Sequence, residues 1–351
     1  MADPARSMSR TVGVGLIGLG IISGAHAEGY ASSPDAELVA VCDSDPDVLE
    51  ARAKELGATG YARYEDMLAD PRVDIVDVCL PHTLHYRVVR ACLEAGKHVL
   101  VEKPLALTSK DCLELIDLAE SAGVRLSVAE NTRFVTAYIA AERLISAGEL
   151  GEARLVRTLI SGSEVKRLSD TSLWKGRVDG SGGGSGGGAI IDAGPHSFYL
   201  LKWLFGEVAS IRGFEDQLVP QAQVEDNAVV AGTLVSGALF RCEFTFTAEI
   251  PWGERLEVYG SKASLIVDQL FDPPAVLFRG GTDYAGEPLS DVPYDPRGWK
   301  RVAIAAGARD FAEAVAAGRL PTVDPRDGLY GVLLSERAYE SAAAGGTLRT
   351  V

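Results

Sequence analysis

The sequence predicts two folded parts: an α/β domain with a doubly wound parallel sheet, and an α+β domain with a large, mostly antiparallel open sheet. From residue 11 to about 128, short apolar strands alternate with segments of helical spacing, which is typical of a parallel sheet with helices on both faces. From residue 129 the pattern changes to longer strands in which apolar and polar residues alternate, which favours antiparallel pairing. A chain of 351 residues is also too long for one ordinary core.

The first element is a strand, turn and helix whose turn carries glycines. An apolar run, VGVGLI, is followed by Gly18 and Gly20 and then by a segment with helical spacing that includes Ile21 and Ile22. This order is typical of a βαβ unit that binds a dinucleotide. Gly18 lets the chain turn sharply, and Gly20 lets the backbone approach a pyrophosphate at the helix N-terminus. Ser23 stands where the pattern G-x-G-x-x-G has its third glycine.

The next predicted strand, ELVAVC, ends in an acid. Asp43 lies somewhat further from the glycine turn than the about 20 residues that are usual for the acid that binds the adenosine ribose hydroxyls. Neither Ser44 nor Asp45 could neutralise a 2′-phosphate, and the carboxylate of Asp43 would repel one. The sequence therefore predicts NAD as the cofactor in preference to NADP.

Two later turns follow predicted strands at their carboxyl ends, where ligands bind in such sheets. Leu80 and Pro81 open the turn LPHTLH, which either lies along the cofactor, with His85 at the start of the next helix, or holds ordinary turn and cap residues. Glu102 and Lys103 follow the strand HVLV. Because a charged pair is costly to place in a nucleotide cleft unless it is used, we expect these two residues to serve binding and catalysis.

The second half begins with a predicted helix at 137–147 and continues with strands and two C-terminal helices. The strands are expected at 153–161, 210–214, 228–234, 238–248, 255–259 and 263–267, and the helices at 310–317 and 327–344. One face of such a sheet must be covered, and the terminal helices could pack back on the first domain. Residues 1–10 are expected to form a flexible leader.

A glycine-rich tract, DGSGGGSGGG, precedes the segment AIIDAGPH. An expression linker or a surface loop has this composition, and a mobile flap over residues 180–188 is a further interpretation. Asp192 is expected to cap the helix that follows, with Pro195 and His196 in its first turn. The positive helix end would favour neutral imidazole at His196, as a base requires; a histidine that only satisfies the cap is the alternative.

Composition and motifs exclude several classes of partner and chemistry. A formal charge of -15 without a basic cluster would repel nucleic acid and anionic membranes, so we expect neither as a partner. The five cysteines have no C-x-x-C spacing and are expected to be reduced thiols. The five histidines form no zinc-protease pair, so no metal is expected, and the G-x-S-x-G turn of a serine hydrolase is missing. Without a signal peptide or a long apolar run, we expect a cytoplasmic location.

Four motifs, GLGIISGAH, PHTLH, EKP and DAGPH, resemble in order and spacing those of the Gfo/Idh/MocA family of NAD(P)-dependent sugar and cyclitol oxidoreductases. The resemblance covers nearly the whole chain, including NTRF, LEVYGSKASLIVD and RDFAEAV. It implies a Rossmann domain over 11–128 and a substrate-binding and oligomerisation domain over 129–351. It also implies a homodimer or homotetramer that forms through the C-terminal sheet.

The resemblance implies catalytic roles for Lys103, Asp192 and His196. His196 would take the hydroxyl proton while hydride leaves the same carbon for the nicotinamide; Lys103 would bind the reacting oxygen and Asp192 would assist. The bond between Lys103 and Pro104 is expected to be cis. Trp174 is expected to contact the cofactor. Glu130, Arg133 and Lys175 are expected to contact the substrate.

These observations favour an NAD-dependent dehydrogenase or reductase that acts on a secondary alcohol or ketone of a sugar, sugar derivative or cyclitol. Two alternatives remain open. One is a redox-neutral glycoside-processing enzyme that oxidises C3 transiently and reduces it again. The other is a non-catalytic NAD-binding sensor or partner protein, which the presence of both the lysine and the histidine disfavours.

Overall fold

The computed structural model describes residues 11–179, 183–280 and 286–351. The expected leader and part of the glycine tract, residues 180–182, lie outside the described residues. Two sheets organise the rest, one of six strands and one of nine, so the predicted fold class is confirmed. Within the described ranges, no helix combines the length and the apolar character that crossing a membrane requires.

The first sheet is parallel throughout. Its strands are β1 (Val12–Ile17), β2 (Ala36–Cys42), β3 (Thr59–Tyr61), β4 (Ile75–Val78), β5 (His98–Val101) and β6 (Leu126–Val128). They lie in the order β3-β2-β1-β4-β5-β6, which is that of a dinucleotide-binding fold. Apart from the short β3, these strands are those that the apolar runs predict. The order reverses between β1 and β4, so the turns that follow these two strands flank one crevice.

Five helices connect these strands. They are α1 (Ser23–Ala31), α2 (Pro46–Leu56), α3 (Tyr64–Leu68), α4 (His85–Glu94) and α5 (Ser109–Ala122). Asp45 caps α2 and Thr108 caps α5 through side-chain hydrogen bonds. By contrast, α1 begins without a side-chain cap and has no acid in its first turn. Among the described residues, no side chain therefore caps the positive end of α1.

The second sheet is antiparallel except where β10 lies beside β7. Its strands are β7 (Ala153–Ser161), β8 (Val208–Asp216), β9 (Asn227–Leu234), β10 (Leu239–Thr245), β11 (Gly253–Gly260), β12 (Ala263–Asp268), β13 (Ala275–Arg279), β14 (Glu287–Pro288) and β15 (Arg349–Thr350). Their order is β14-β13-β12-β11-β7-β10-β9-β8-β15. Strands β13, β14 and β15 were not predicted, because they are short; β14 and β15, the two edge strands, have only two residues each, too few for an alternating pattern.

Helices cover one face of this sheet. The helices of the second half are α6 (Thr136–Ser146), α7 (Val165–Ser169), α8 (Ala189–Phe205), α9 (Trp299–Ala316) and α10 (Pro325–Ala343), of which α6, α8 and α10 cover the sheet. The large core lies between the sheet and α6, α8 and α10. Helix α9 packs on α1 and α10 also contacts α5, so the terminal helices return to the first half of the chain. We keep a domain division near residue 128 as our proposal.

Candidate active site

The glycine turn after β1 has the geometry that a bound anion requires. Gly18 has φ +86°, and a Cβ there would come within 2.3 Å of the carbonyl oxygen of Cys79, so only glycine fits. The buried hydroxyl of Ser23 donates to the carbonyl of Gly20 at 2.7 Å, which closes the turn in place of a third glycine. The chain therefore leaves β1 sharply and enters α1 directly beside the crevice.

Space and hydrogen-bond donors are both available at this turn. A Cβ on Gly20 would meet no atom within 4 Å, and Ile21 is 90% exposed. In the part of the chain that the structure describes, the backbone N–H groups of Gly20, Ile21 and Ile22 have no hydrogen-bond partner. Together with the uncapped start of α1, these groups fit the pyrophosphate of a dinucleotide.

Asp43 lies beside the same turn. Its Oδ2 accepts a hydrogen bond from the Leu19 N–H at 2.8 Å, and its Oδ1 accepts one from the Asp45 N–H at 3.0 Å. These bonds fix the carboxylate, while each oxygen keeps capacity for a further donor. The residues present therefore fit the adenosine ribose of NAD.

His85 does not face this crevice with a free nitrogen. It is fully buried, and its Nδ1 and Nε2 contact the carbonyl oxygens of Pro104 and Leu80 at 2.6 and 2.8 Å. Burial lowers its pKa, and the two carbonyl contacts act in the opposite direction. His85 thus joins the loop after β4 to the loop after β5, and its expected contact with the cofactor stays a prediction. Leu80 and Pro81 remain half-buried at the turn.

A buried polar network binds the carboxylate of Glu102. Its Oε1 contacts His26 Nε2 at 3.0 Å, and His26 Nδ1 contacts Asp77 at 2.7 Å, which also accepts the hydroxyl of Tyr30. Burial alone would raise the pKa of Glu102, but His26 and Lys103 lower it to about 2. Glu102 is thus an ionised group that the fold positions, with only part of its carboxylate left for a ligand.

The same network contains potential metal ligands. Ligand atoms of His26, Asp77 and Cys79 lie within 4.8 Å of one another. However, both ring nitrogens of His26 already contact carboxylates; burial lowers its pKa, but Asp77 and Cys79 outweigh burial and raise it well above the ordinary value. A metal would have to displace this protonated histidine. All five cysteines of the chain are free thiols.

Lys103 and Asp192 form a buried ion pair between the two halves of the chain. Lys103 Nζ lies 2.5 Å from Asp192 Oδ1 and 2.8 Å from its backbone oxygen. Burial opposes the charge on both groups, yet their attraction prevails: the pKa of Lys103 is raised and that of Asp192 is lowered well below its usual range. At neutral pH Lys103 is therefore an ammonium donor. The peptide bond between Lys103 and Pro104 is cis, as expected.

The helix that carries Asp192 begins earlier than the sequence predicts. Helix α8 starts at Ala189, and its first N–H groups are bound by Glu225, whose carboxylate accepts from Gly188 and Ile190 at 2.9 Å. Asp192 is therefore not the N-cap, and His196 lies in the second turn rather than the first. The cap expectation was wrong because a carboxylate from a distant loop replaces the local one. Asp192 and His196 still share one face of α8, four residues apart.

His196 is paired with Glu130. Its Nδ1 lies 2.6 Å from Glu130 Oε1, and both side chains are buried; Thr132 Oγ1 is more distant at 3.4 Å. Burial would raise the pKa of Glu130, but His196 and Thr132 lower it, so the carboxylate is ionised. Glu130 thus binds the histidine through Oε1, and its expected contact with the substrate stays a prediction. Glu130 and Lys103 also line one small cavity with Pro195, which brings the two pairs together.

Three other predicted residues surround this centre. Lys175 Nζ lies 3.1 Å from Asp192 Oδ2 and 3.2 Å from Glu164, above the rings of Phe246 and Trp252. Its ammonium is thus paired with two carboxylates of the protein, and its expected contact with the substrate stays a prediction. The Arg133 guanidinium lies 4.2 Å from the ring centre of Trp203, so it too is engaged within the protein. Trp174 is half-buried and meets the ring of His82 edge-on, with centroids 4.9 Å apart.

Sequence reasoning missed several residues that shape the site. Glu225 caps α8, His26 holds Glu102, and His82 contacts both Trp174 and Asp192. His26 and His82 stood within the quoted motifs, and their position beside strand ends was the only available signal. No signal of spacing could have assigned Glu225, since it lies in a loop far along the chain from the helix that it caps.

Comparisons with known proteins identify the family of this chain. Residues 12–130 match the model of an oxidoreductase family with an NAD-binding Rossmann fold, and residues 138–266 match that of the GFO/IDH/MocA C-terminal domain. The chain is similar to a myo-inositol 2-dehydrogenase of Thermotoga maritima, 29% identical over 334 residues, which are 93% of this chain and 95% of that protein.

Two further proteins are similar. A dTDP-3,4-didehydro-2,6-dideoxy-alpha-D-glucose 3-reductase of Streptomyces violaceoruber is 34% identical over 253 residues, 70% of this chain and 69% of that protein. The crystal structure of the WlbA dehydrogenase from Bordetella pertussis, in complex with NADH and UDP-GlcNAcA, has a TM-score of 0.87 at 25% identity. That alignment covers 97% of this chain and 98% of that one.

Proposed function

This chain belongs to the GFO/IDH/MocA family of NAD(P)-dependent oxidoreductases, and we propose that it is an NAD-dependent dehydrogenase or reductase of a sugar, sugar derivative or cyclitol. One observation carries the proposal. The Lys103–Asp192 and Glu130–His196 pairs lie beside each other at the carboxyl edge of the first sheet. Relatives named for an inositol and for a deoxysugar support the substrate class.

The cofactor is held, in this proposal, by the turn after β1 and by the acid after β2. The free N–H groups of Gly20, Ile21 and Ile22 bind the pyrophosphate, and Asp43 binds the adenosine ribose. Bound NAD supplies the hydride acceptor. Because Asp43 would lie against a 2′-phosphate, NADP is disfavoured, and Leu80, Pro81 and Trp174 border the nicotinamide end.

The protein's side chains accept one proton from the substrate hydroxyl and stabilise the negative charge that develops on its oxygen. Because the carboxylate of Glu130 can only accept, His196 Nδ1 carries a proton and its Nε2 is left as the base for the substrate hydroxyl. The Lys103 ammonium donates to the reacting oxygen and stabilises its negative charge as hydride departs. Asp192 holds Lys103 in place, and Lys175 and Glu164 hold Asp192.

The experiment is a panel of inositols, sugars and sugar derivatives assayed with NAD at 340 nm. With a substrate identified, Lys103→Ala and His196→Ala should each reduce turnover at least about a hundredfold while the affinity for NAD changes little. Lys262→Ala, at a surface lysine, is the matched control and should retain activity. A variant of Lys103 or His196 with unimpaired turnover would refute the mechanism. Substrate conversion without net NADH would instead indicate the redox-neutral alternative.

The open face of the second sheet supports a further proposal, that two copies associate through it. Leu155 on β7 is in register with Leu239 on β10 and with Tyr259 on β11, and these side chains are 39%, 56% and 38% exposed. They form an apolar row on the face that α6, α8 and α10 leave uncovered. Arg157, with Glu243 and Glu257, forms an ion-pair row beside it. A second copy would bury both rows.

A further inference from the structure

The described part of the glycine tract, residues 183–188, is packed against both halves of the chain; we refer to it as the glycine strap. Gly186 has φ +72°, and a Cβ there would lie 2.3 Å from a side-chain carbon of Leu107. A Cβ on Gly188 would lie 1.7 Å from the carbonyl oxygen of Glu225. A flexible linker would not pack so closely against Leu107 and Glu225, because its positions would have room for any small residue. The strap is therefore a built element rather than a linker.

Three hydrogen bonds join the strap to the turn after β4. The Thr83 N–H donates to Gly184 at 3.1 Å, the Gly184 N–H donates to Thr83 Oγ1 at 2.7 Å, and His82 Nδ1 lies 2.9 Å from the carbonyl oxygen of Ser185. Ser185 is itself buried and its hydroxyl donates to Arg177. His82 is the one member of this set that also reaches the proposed catalytic pair.

The other side of the His82 ring faces the active site. Its Nε2 lies 3.7 Å from Asp192 Oδ1, and its ring meets Trp174 edge-on. Burial and the nearby Lys103 ammonium lower the pKa of His82 to about 3, so the ring is neutral. Because the Ser185 carbonyl can only accept, the single ring proton lies on Nδ1 and the strap bond fixes which nitrogen faces Asp192.

We propose that His82 is a positioning residue that couples the glycine strap to the Lys103–Asp192 pair through its hydrogen bond to Ser185. With this bond made, the strap is ordered over the turn, and the ring braces Trp174 and Asp192. Without this bond, the strap loses a buried hydrogen bond, and the His82 ring is no longer fixed beside the carboxylate of Asp192 that binds Lys103. The inference rests on the proposed function only for its effect on turnover, since the ordering of the strap can be measured without a substrate.

Two conservative substitutions distinguish the role of His82 Nδ1 from that of Nε2. In His82→Asn the amide N–H₂ takes the place of Nδ1 and can still donate to Ser185, but nothing replaces Nε2. In His82→Gln the longer side chain brings its amide close to the position of Nε2 and leaves that of Nδ1 empty. The proposal predicts that asparagine keeps the strap ordered and glutamine does not, whereas neither amide replaces the ring beside Trp174 and Asp192. His82→Ala removes both ends.

The test combines hydrogen exchange and kinetics on the full chain. Exchange of backbone amides is followed by mass spectrometry in peptides that cover residues 183–190, without substrate, and loss of one buried hydrogen bond should accelerate it about tenfold. We expect this acceleration in His82→Gln and His82→Ala but not in His82→Asn. His98→Ala, on β5 away from the strap, is the matched control. All three variants lack the ring beside Asp192, so kcat should fall in each; it should fall further in His82→Gln and His82→Ala, where the strap is also released, with the affinity for NAD unchanged.

Two results would overturn the proposal. One is unchanged exchange at 183–190 in His82→Ala, which would mean that Thr83 alone holds the strap. The other is a His82→Asn variant as impaired as His82→Ala, which would assign the role to Nε2 or to the ring. Where an alanine variant fails to fold, the comparison of asparagine with glutamine decides alone. If the wild type reduces no NAD with any substrate, the proposed function fails while the exchange result still tests the coupling.

Discussion

The substitution Glu130→Gln tests which carboxylate supports the proposed base. The glutamine keeps the size of the side chain and an oxygen for His196 Nδ1, but it removes the negative charge 2.6 Å from the ring. As His196 takes a proton from the substrate, its ring becomes positive, and the buried carboxylate stabilises that charge. A hydrogen bond to a charged group contributes about 1.5–3 kcal/mol, so we expect kcat to fall roughly ten- to 150-fold.

The assay is initial-rate NADH formation at saturating NAD, with NAD affinity measured separately by fluorescence. Because Glu130 acts through His196, kcat should fall while KM and NAD affinity stay within about threefold. Glu257→Gln is the matched control: Glu257 is also buried beside a positive partner, Arg157, but it lies on the open face of the second sheet. The same chemical change there should leave kcat as it is.

Asp192→Asn gives the opposite test. If Asp192 rather than Glu130 supported His196, Glu130→Gln would have a small effect, and Asp192→Asn alone would abolish base function. A kcat within threefold of wild type in Glu130→Gln would therefore refute the assignment of this pair. Thermal unfolding of each variant shows that the fold is retained, since the pair lies at the boundary of the second core.

Three further predictions follow from other parts of the structure. Asp43→Asn keeps an oxygen for the Leu19 N–H but removes the charge, so the preference for NAD over NADP, measured as a ratio of kcat/KM, should fall about tenfold; an unchanged ratio would show that another group discriminates. Glu102 has its pKa lowered to about 2 from 4.5, so the stability it confers is complete above about pH 4.5 and is lost as the pH falls towards 2. The urea midpoint of Glu102→Gln should thus lie below that of wild type at pH 6, and the difference should shrink as the pH falls from 4.5 towards 2; a difference independent of pH would contradict this. Leu239→Lys should reduce the molar mass measured by light scattering to that of one chain, whereas an unchanged mass would exclude association through the open face.

The fold was predictable because its signals are local. The glycine turn, the apolar runs and the helical segments of the first half are each set by neighbours in sequence, and the order of strands follows from the rules of parallel sheets. The second sheet was predicted from alternation in β7 to β12. Helix α9 begins at Trp299 rather than near residue 310, because its first turns are rich in alanine and glycine and lack a clear apolar stripe.

The members of the site were predictable, but their partners were not. Lys103, Asp192 and His196 could be named from short motifs, whereas the pairing of His196 with Glu130 depends on how the loop after β6 meets α8. The same holds for the cap of α8, where Glu225 takes the place expected for Asp192. Spacing along a chain determines neighbours on one helix, but contacts between distant elements are set by packing, which no local pattern contains.

The arrangement of charges explains why Lys103 can respond to a developing negative charge although it is already paired. Asp192 faces two ammonium groups, since Lys103 lies at one oxygen and Lys175 at the other. The second contact has an ion-pair distance, but Asp192 Oδ2 makes no hydrogen bond with good geometry in the described residues. One carboxylate thus serves two cations, Lys103 and Lys175, within a protein of net charge -15. An alkoxide forming there meets an ammonium whose own partner is shared, so Lys103 can shift towards the substrate without leaving Asp192 uncompensated.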